Sequence, residues 1–211
     1  MLRRPRPAVL LAAALALTAA LVLTACSGAP AAAGDAPAAV RTTPQSILSY
    51  GVAAGDATYP FVVSVMQNDA DGLAFRFDLA DGQSQGTVSM SADAVADGTI
   101  MLNRFTSRAY SLSDKTSVWL ARGPFARLRA GETVGLDLGQ GTHRDFSGAC
   151  GEAYTVRTAG GGSYAVPACR FETANEGAQQ RLVVADDAEQ PLILSMETGL
   201  FSVSLQTAAA R

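Results

Sequence analysis

The chain has 211 residues, with 16 lysine and arginine residues against 19 aspartate and glutamate residues, a formal net charge of −3. Because the balance is acidic and no run of five like charges occurs, the sequence contains neither a nucleic-acid-binding arm nor a polybasic membrane patch. We therefore expect no nucleic-acid partner, and the length suits one domain with a hydrophobic core.

The first 26 residues have the three parts of an export signal. Residues 3–6 supply three arginines, residues 8–25 form an uncharged apolar run, and Leu23-Thr24-Ala25-Cys26 ends the run. The arginines resist translocation, the apolar run enters the membrane, and a small residue precedes the cleavage site. This pattern resembles the lipobox signal peptide of bacterial lipoproteins. The resemblance implies removal of residues 1–25 and attachment of lipid to Cys26.

The expected compartment follows from this resemblance. Ser27 stands where an aspartate would retain a lipoprotein at the inner membrane. We expect an envelope protein with a lipid anchor, on the outer membrane facing the periplasm if the host has two membranes. Two alternatives stay open. In the first, residues 8–25 are an uncleaved membrane anchor, since this run approaches the roughly 20 apolar residues needed to span a bilayer. In the second, the signal is cleaved at an ordinary processing site and Cys26 carries no lipid.

Residues 26–45 predict a lipidated cysteine followed by a flexible tether. Apart from Val40, the tether contains no large apolar residue, and it is rich in alanine, proline and glycine. Such a segment cannot bury enough surface to order itself. Removal of residues 1–25 takes away three arginines and no acidic residue, so the rest of the chain has a formal charge of −6. Residues 46–211 are predicted to form a single β-rich domain.

The dominant periodicity of this domain is two. Every second residue from Leu73 to Leu79 is apolar, as expected for a strand with one buried face. Residues 59–66 predict the preceding strand, and residues 68–72 predict the hairpin loop between the two. Short turns separate the other predicted strands, which favours antiparallel pairing. These strands cover residues 86–91, 100–110, 116–121, 133–138, 181–185, 192–197 and 201–206.

One helix is predicted over residues 124–130, with a proline in its first turn and Gly131 at its end. A second short helical turn is predicted over residues 91–96. The fold class is therefore mainly β, an antiparallel curved sheet or a barrel or sandwich of eight to ten strands with one or two short helices. Residues 116–120 and 182–194 resemble stretches of uncharacterised bacterial envelope β-proteins. That resemblance implies a β fold and carries no catalytic residue.

Two cysteines remain in the domain, Cys150 and Cys169. An exported protein meets oxidising conditions, so a disulfide is favoured over a metal site. Residues 154–157 and 164–166 predict two strands around a glycine turn at residues 159–162. Pairing about this turn brings the two cysteines nearly opposite each other. We predict a structural disulfide between them.

The sequence offers few residues for nucleophilic catalysis. His143 is the only histidine, which excludes a two-histidine metal site. With Asp145 or Asp137 and a serine it has the residue types of a triad, but it lies in a polar glycine-rich loop where an exposed histidine is ordinary. Residues 161–165 match only half of a nucleophile elbow, and a hairpin turn explains their glycines better. We predict no catalytic residue and no enzyme activity.

Two acidic turns resemble cation sites in part. Residues 67–78 follow some of the spacing of a calcium loop, but Gln67 stands where the first aspartate belongs and a strand follows where a helix is required. A second acidic turn contains Asp186, Asp187 and Glu189. A plain turn is the preferred interpretation of both. We expect no bound metal and no cofactor.

Two further clusters have both a structural and a binding interpretation. The first cluster consists of three arginines, Arg122, Arg127 and Arg129. We favour a solvated helix face for them over contact with an anionic glycan or lipid headgroup. The second consists of three aromatic residues, Trp119, Phe125 and Phe105, for which we favour positions in the core over positions in a cavity wall.

The preferred function is a membrane-anchored interaction or assembly module that docks an envelope protein through a sheet edge or a loop face. The alternative is a carrier that holds a lipid or another hydrophobic ligand in a β cavity. The interior of the sheet discriminates between them. A void beside Trp119 and the Phe75–Phe77 face favours a carrier, and a filled core there favours the interaction module.

Overall fold

The computed structural model describes residues 40–174 and 179–209. Two helices lie in this part of the chain, α1 (Ala92–Asp97) and α2 (Arg122–Arg129). Thirteen strands accompany them. In chain order they are β1 (Ile47–Ala54), β2 (Ala57–Asp69), β3 (Gly72–Leu79), β4 (Ser84–Ser91), β5 (Ile100–Met101), β6 (Ala109–Leu112), β7 (Lys115–Thr116), β8 (Val134–Leu136), β9 (Arg144–Thr158), β10 (Ser163–Thr173), β11 (Arg181–Ala185), β12 (Ile193–Glu197) and β13 (Ser202–Ala209).

Eleven of these strands form one sheet in the order β6-β4-β3-β2-β1-β13-β12-β11-β10-β9-β8. Sequential neighbours pair antiparallel, whereas β4 and β6 run parallel. β13 also pairs with β9 through Thr207 opposite Arg157 and Ala208 opposite Thr158, so the sheet curves back on itself. The prediction of a mainly antiparallel curved sheet with two short helices is confirmed.

The buried apolar residues form two clusters. The first lies over β1–β4 and includes Phe75, Phe77 and Trp119. The second lies under α2, where Phe125 contacts Phe171 with ring centroids 6.2 Å apart. α2 contributes its buried face to this cluster because Phe125 and Leu128 are three residues apart on one side of the helix.

The hairpin of β9 and β10 has the predicted register. Cys150 lies opposite Cys169, and the two are joined by a disulfide. Gly161 occupies the turn with φ +87°, a left-handed conformation that glycine adopts without a steric penalty. The predicted disulfide and its hairpin are therefore both present.

Two predicted strands are largely irregular. The strand predicted over residues 100–110 reduces to β5 and β6, with residues 102–108 outside any strand. The strand predicted over residues 116–121 retains only Thr116, at the end of β7, and the isolated bridge of Trp119 with Leu192. The β-branched and aromatic residues there fill the core without joining the main ladder, because propensity is overridden by packing.

The first strand of the sheet, β1, was absent from the sequence predictions. It lies between β2 and β13, and Leu48, Tyr50 and Val52 alternate inward along it. The last residues of the predicted tether pack against the domain: Val40 and Thr42 are buried, and the Thr42 N–H donates to Gln190 Oε1 over 2.7 Å. The predicted signal peptide and Cys26 lie outside the described residues.

Candidate ligand-binding cavity

An apolar cavity of about 440 Å³ lies between β1, β2, the irregular segment after β5 and the β12–β13 hairpin. This volume falls within the roughly 300–1,000 Å³ typical of small-molecule sites. Aliphatic and aromatic side chains form most of the wall. The wall also contains two tyrosines and a glycine. Its other polar or charged residues are Asn103, Arg104, Ser117 and Gln140. A concave, mostly apolar surface with a few polar groups is suited to a hydrophobic small molecule.

Tyr50 on β1 lines the inner part of the cavity and is 2 % exposed. Its hydroxyl donates a hydrogen bond of 2.9 Å to the carbonyl of Ile193, which satisfies the buried donor. Burial, with a smaller contribution from Tyr154, raises the pKa of Tyr50 well above its ordinary value, because a buried phenolate is poorly solvated. The inner wall is therefore uncharged.

The irregular segment 102–108 forms one side of the cavity, and two aromatic residues hold it in place. The Phe105 ring lies 4.9 Å from the rings of both Phe61 and Phe77, measured between centroids. The Tyr110 hydroxyl accepts a 2.7 Å hydrogen bond from the Thr106 N–H. The pKa of Tyr110 lies below its ordinary value. Burial alone would raise this pKa, but the hydrogen bonds with Thr106 and the nearby Arg108 guanidinium together have the larger effect and lower it. The segment is thus pinned by packing and by hydrogen bonds.

The raised pKa of Tyr50 predicts a loss of stability in alkali. The unfolded chain ionises first, above about pH 10, whereas the folded chain keeps the phenol neutral until its higher pKa. The free energy of unfolding should therefore fall by about 1.4 kcal/mol per pH unit through this group. Denaturant unfolding between pH 9 and 12 should show a shallower decline for Tyr50→Phe. The control Tyr110→Phe should not flatten the curve, and equal slopes for wild type and Tyr50→Phe would contradict the assignment.

The polar groups of the wall are mostly engaged with the protein. The Asn103 amide donates to the carbonyl of Leu138, and the Ser117 hydroxyl donates to the carbonyl of Leu102 over 2.9 Å. Gly139 packs directly against Asn103, because a Cβ at Gly139 would lie 2.5 Å from the Asn103 side chain. The Asn103 bond holds the 101–105 segment against the loop after β8, and the Ser117 bond holds it against the residue that follows β7. The amide and hydroxyl groups thus shape the wall.

Val118 carries backbone strain at the cavity wall. It has φ +67°, a left-handed conformation that is an outlier for a β-branched residue. Its carbonyl accepts a 2.9 Å hydrogen bond from the Ile193 N–H, and its side chain lines the cavity. Strain of this kind costs on the order of 1–3 kcal/mol and concentrates at binding sites. The surrounding structure therefore holds the Val118 backbone in a conformation that valine disfavours.

The residues considered for catalysis are not assembled into a triad in the described part of the chain. His143 is exposed, and its Nε2 lies 3.4 Å from Thr99 Oγ1. Asp137 is buried, and its carboxylate accepts hydrogen bonds from the N–H groups of Gln140 and Gly141, at 2.8 and 3.1 Å. Asp137 therefore stabilises the loop that carries His143. Ser163 begins β10 directly after the glycine turn.

The first acidic turn is a hairpin connection. Asp69 Oδ1 accepts hydrogen bonds from Gln67 Nε2 and from the Asp71 N–H, each 2.9 Å long. The Gln67 side chain, followed by the Asp71 N–H, lowers the pKa of Asp69, because both bonds favour the carboxylate. Asp78 accepts from the Gly82 N–H over 2.7 Å. These carboxylates serve the turns on either side of β3.

The second acidic turn is paired with arginines. Asp186 lies 2.7 Å from Arg129, and Asp187 lies 3.6 Å from Arg41. Asp187 also accepts a 2.9 Å hydrogen bond from the Glu189 N–H. Asp186 is close to both sulfurs of the disulfide, but disulfide sulfurs are not thiolate ligands. The two carboxylates act as partners for arginine and as a turn cap.

The arginine cluster is engaged with neighbouring groups. Arg127 lies 2.9 Å from Glu132, and Arg122 donates to the carbonyl of Glu189 over 3.1 Å. Of the three candidate aromatic residues, Trp119 and Phe125 are buried in the two core clusters. Phe105 is partly buried and lines the cavity.

The interior beside Trp119 is filled. Trp119 is 3 % exposed, Phe75 and Phe77 are fully buried, and the Phe75 and Trp119 rings lie 5.8 Å apart. Tyr50, Phe105 and Val118 line the cavity, whereas Phe75, Phe77 and Trp119 are not among its lining residues. The sequence missed it because its walls come from segments far apart in the chain.

No family model, curated protein or solved structure matches this chain. Within residues 40–174 and 179–209, no helix combines the length and the apolar character needed to cross a bilayer.

Proposed function

We propose that this chain is a lipid-anchored envelope protein that binds a hydrophobic small molecule in the cavity beside Tyr50. An apolar pocket of about 440 Å³, open to solvent on the side of Arg104 and Leu200 and next to a filled core, supports this proposal. Without a ligand its apolar lining is in contact with water, which is unfavourable. An apolar ligand would displace that water and pack against the lining.

The chemistry of the wall supports an apolar ligand. Phe61, Val118 and Ile193 present only carbon atoms from their side chains, and the Tyr50 hydroxyl is occupied by a backbone carbonyl. Each methylene transferred from water to such a site contributes about 0.8 kcal/mol. Association costs offset part of this gain. Affinity should therefore rise with chain length until the cavity is filled.

The lipid anchor belongs to the same proposal and rests on the sequence of residues 1–26. One acyl chain gives marginal membrane binding, whereas several chains anchor a protein stably. A lipidated Cys26 would keep the cavity close to a membrane, where hydrophobic molecules are concentrated. The proposed ligand and the proposed anchor thus suit the same location.

The interaction or assembly module is the second candidate. The filled core beside Trp119 supports it. The two outer strands of the eleven-stranded sheet give less support, because β6 has four residues and β8 has three. Short edge strands offer few free backbone groups to a partner strand. Binding through a loop face would not depend on the cavity, and this difference separates the two candidates.

A variant that fills the cavity tests the proposal. Ala54 lines the cavity near the end of β1, whereas its neighbour Ala53 does not. An indole at this position would occupy volume that the ligand would otherwise fill. Loss of about two buried methylenes, at about 0.8 kcal/mol each, means that Ala54→Trp should raise the half-saturating concentration of an apolar ligand about tenfold. The matched control Ala53→Trp should leave it unchanged. The probe is a ten-carbon alcohol with a terminal diazirine, added to the full chain in lipid nanodiscs and photolysed.

Mass spectrometry then locates the crosslinked peptides. Saturable labelling of the peptides around Tyr50, Val118 and Ile193, lost in Ala54→Trp and kept in Ala53→Trp, is the expected result. Labelling that is absent from these peptides, or equal in both variants, would overturn the proposal.

A further inference from the structure

The cavity wall has an uneven charge distribution. Among its described lining residues, Arg104 is the one charged side chain, and neither an aspartate nor a glutamate is present. The protein as a whole is acidic, with a formal charge of −3. A lone positive charge on an apolar cavity in an acidic protein is an arrangement that selects for an anion.

Arg104 lies at the mouth of the cavity. It is exposed and lines the cavity at the same time. Leu200, also a lining residue, is 65 % exposed on the turn between β12 and β13. The Arg104 carbonyl accepts a 3.4 Å hydrogen bond from the Tyr110 hydroxyl, which holds the backbone at this point. A cation and an exposed leucine therefore border the opening.

The Arg104 guanidinium differs from several other arginines of the domain in its partners. Arg127, Arg129 and Arg181 each lie within 2.9 Å of a carboxylate oxygen. Arg104 forms no ion pair with any acidic side chain in residues 40–174 and 179–209. Its five N–H donors are thus open to a ligand, and the planar fork matches a carboxylate in two parallel hydrogen bonds.

We propose that the ligand is a single-chain amphiphile whose acyl chain fills the cavity and whose carboxylate binds Arg104 at the mouth. This inference rests on the proposed function, since it assigns a head group to the apolar ligand. The chain lies against Phe61, Val118 and Ile193, where no charge would be solvated. The carboxylate stays in the solvent-exposed mouth, where its desolvation is small. Apolar burial supplies affinity and Arg104 supplies head-group selectivity.

Two probes of equal chain length test the head group. One is a ten-carbon carboxylate with a terminal diazirine, and the other is the corresponding alcohol. Each is photolysed with the full chain in lipid nanodiscs, and labelling of the cavity peptides is measured against probe concentration. Because each probe enters the lipid equally for wild type and variants, the ratio of half-saturating concentrations reports the protein alone. The variants are Arg104→Gln and the control Arg157→Gln, which alters an exposed arginine on β9 outside the cavity wall.

Arg104→Gln should raise the half-saturating concentration of the carboxylate about fivefold, the effect of a solvent-exposed ion pair. It should leave the alcohol unchanged, and Arg157→Gln should change neither. A carboxylate value that is equal in wild type and Arg104→Gln, with the alcohol still labelling the cavity, would overturn the head-group assignment and leave the hydrophobic site standing. Failure of both probes to label the cavity peptides would overturn the site as well. A carboxylate value raised equally by both variants would indicate general charge attraction and also contradict the assignment.

Discussion

Phe75→Ala is expected to lower the free energy of unfolding by about 3–5 kcal/mol, the range for removing a fully buried phenylalanine. Phe75 lies in the middle of β3 with its side chain buried, and its ring lies 5.8 Å from that of Trp119. The substitution removes apolar contacts and leaves a hole between the sheet and the 117–120 segment. Because Ser117 and Val118 line the cavity, this hole should also loosen one cavity wall.

Urea unfolding followed by Trp119 fluorescence and by circular dichroism measures this effect. The midpoint should fall with little change in the urea dependence, because the native surface area is nearly unchanged. The control is Phe201→Ala at the cavity wall. Phe201 is only partly buried, so its removal should cost clearly less. A loss below about 1 kcal/mol for Phe75→Ala would mean that this core region collapses around the gap or is less tightly packed than described.

The double substitution of Cys150 and Cys169 by alanine is expected to cost about 3 kcal/mol, because the disulfide closes a loop of about 20 residues. The constraint limits the unfolded chain, and Cys169 is also fully buried in the second core cluster. The melting temperature should fall by roughly 6–12 °C for a domain of this size. The β9–β10 hairpin should still form, since its register has many pairs besides the cysteines.

Thermal unfolding of wild type with and without a reducing agent provides the matched comparison. The reduced wild type should melt near the double alanine variant, and the variant itself should be insensitive to the reducing agent. Equal melting temperatures for oxidised and reduced wild type would show that the disulfide adds no stability. In that case the β9–β10 hairpin would be stabilised by its strand pairing and packing without a contribution from the disulfide.

Local sequence patterns were sufficient for much of the fold. The alternation from Leu73 to Leu79 predicted β3, and the glycines at 160–162 predicted the β9–β10 turn because both signals act within a few residues. The helix predicted over residues 124–130 also agrees with α2. β1 was missed although Leu48, Tyr50 and Val52 alternate, since the glycine at 51 and the alanines at 53 and 54 weaken strand propensity. Its position beside β13 depends on pairing with the far end of the chain.

The cavity was beyond the reach of local patterns for a related reason. Residues 102–108 were predicted to continue a strand, but the aromatic contacts of Phe105 and the hydrogen bonds of Tyr110 hold them outside the sheet. Val118 adopts a conformation that its own side chain disfavours. Both positions are decided by tertiary packing. A sequence search for catalytic or metal motifs therefore had no local signal for this site.

Native mass spectrometry of the protein, released gently from its own host's envelope, would detect a bound ligand and the lipid anchor together. We expect one apolar molecule bound at constant stoichiometry, released on denaturation, with a covalent acyl mass remaining on Cys26. Ala54→Trp, expressed in the same host, should lose the bound molecule and keep the acyl mass. A wild-type mass without a bound small molecule, or with another protein in its place, would contradict the ligand-binding account and favour the interaction module.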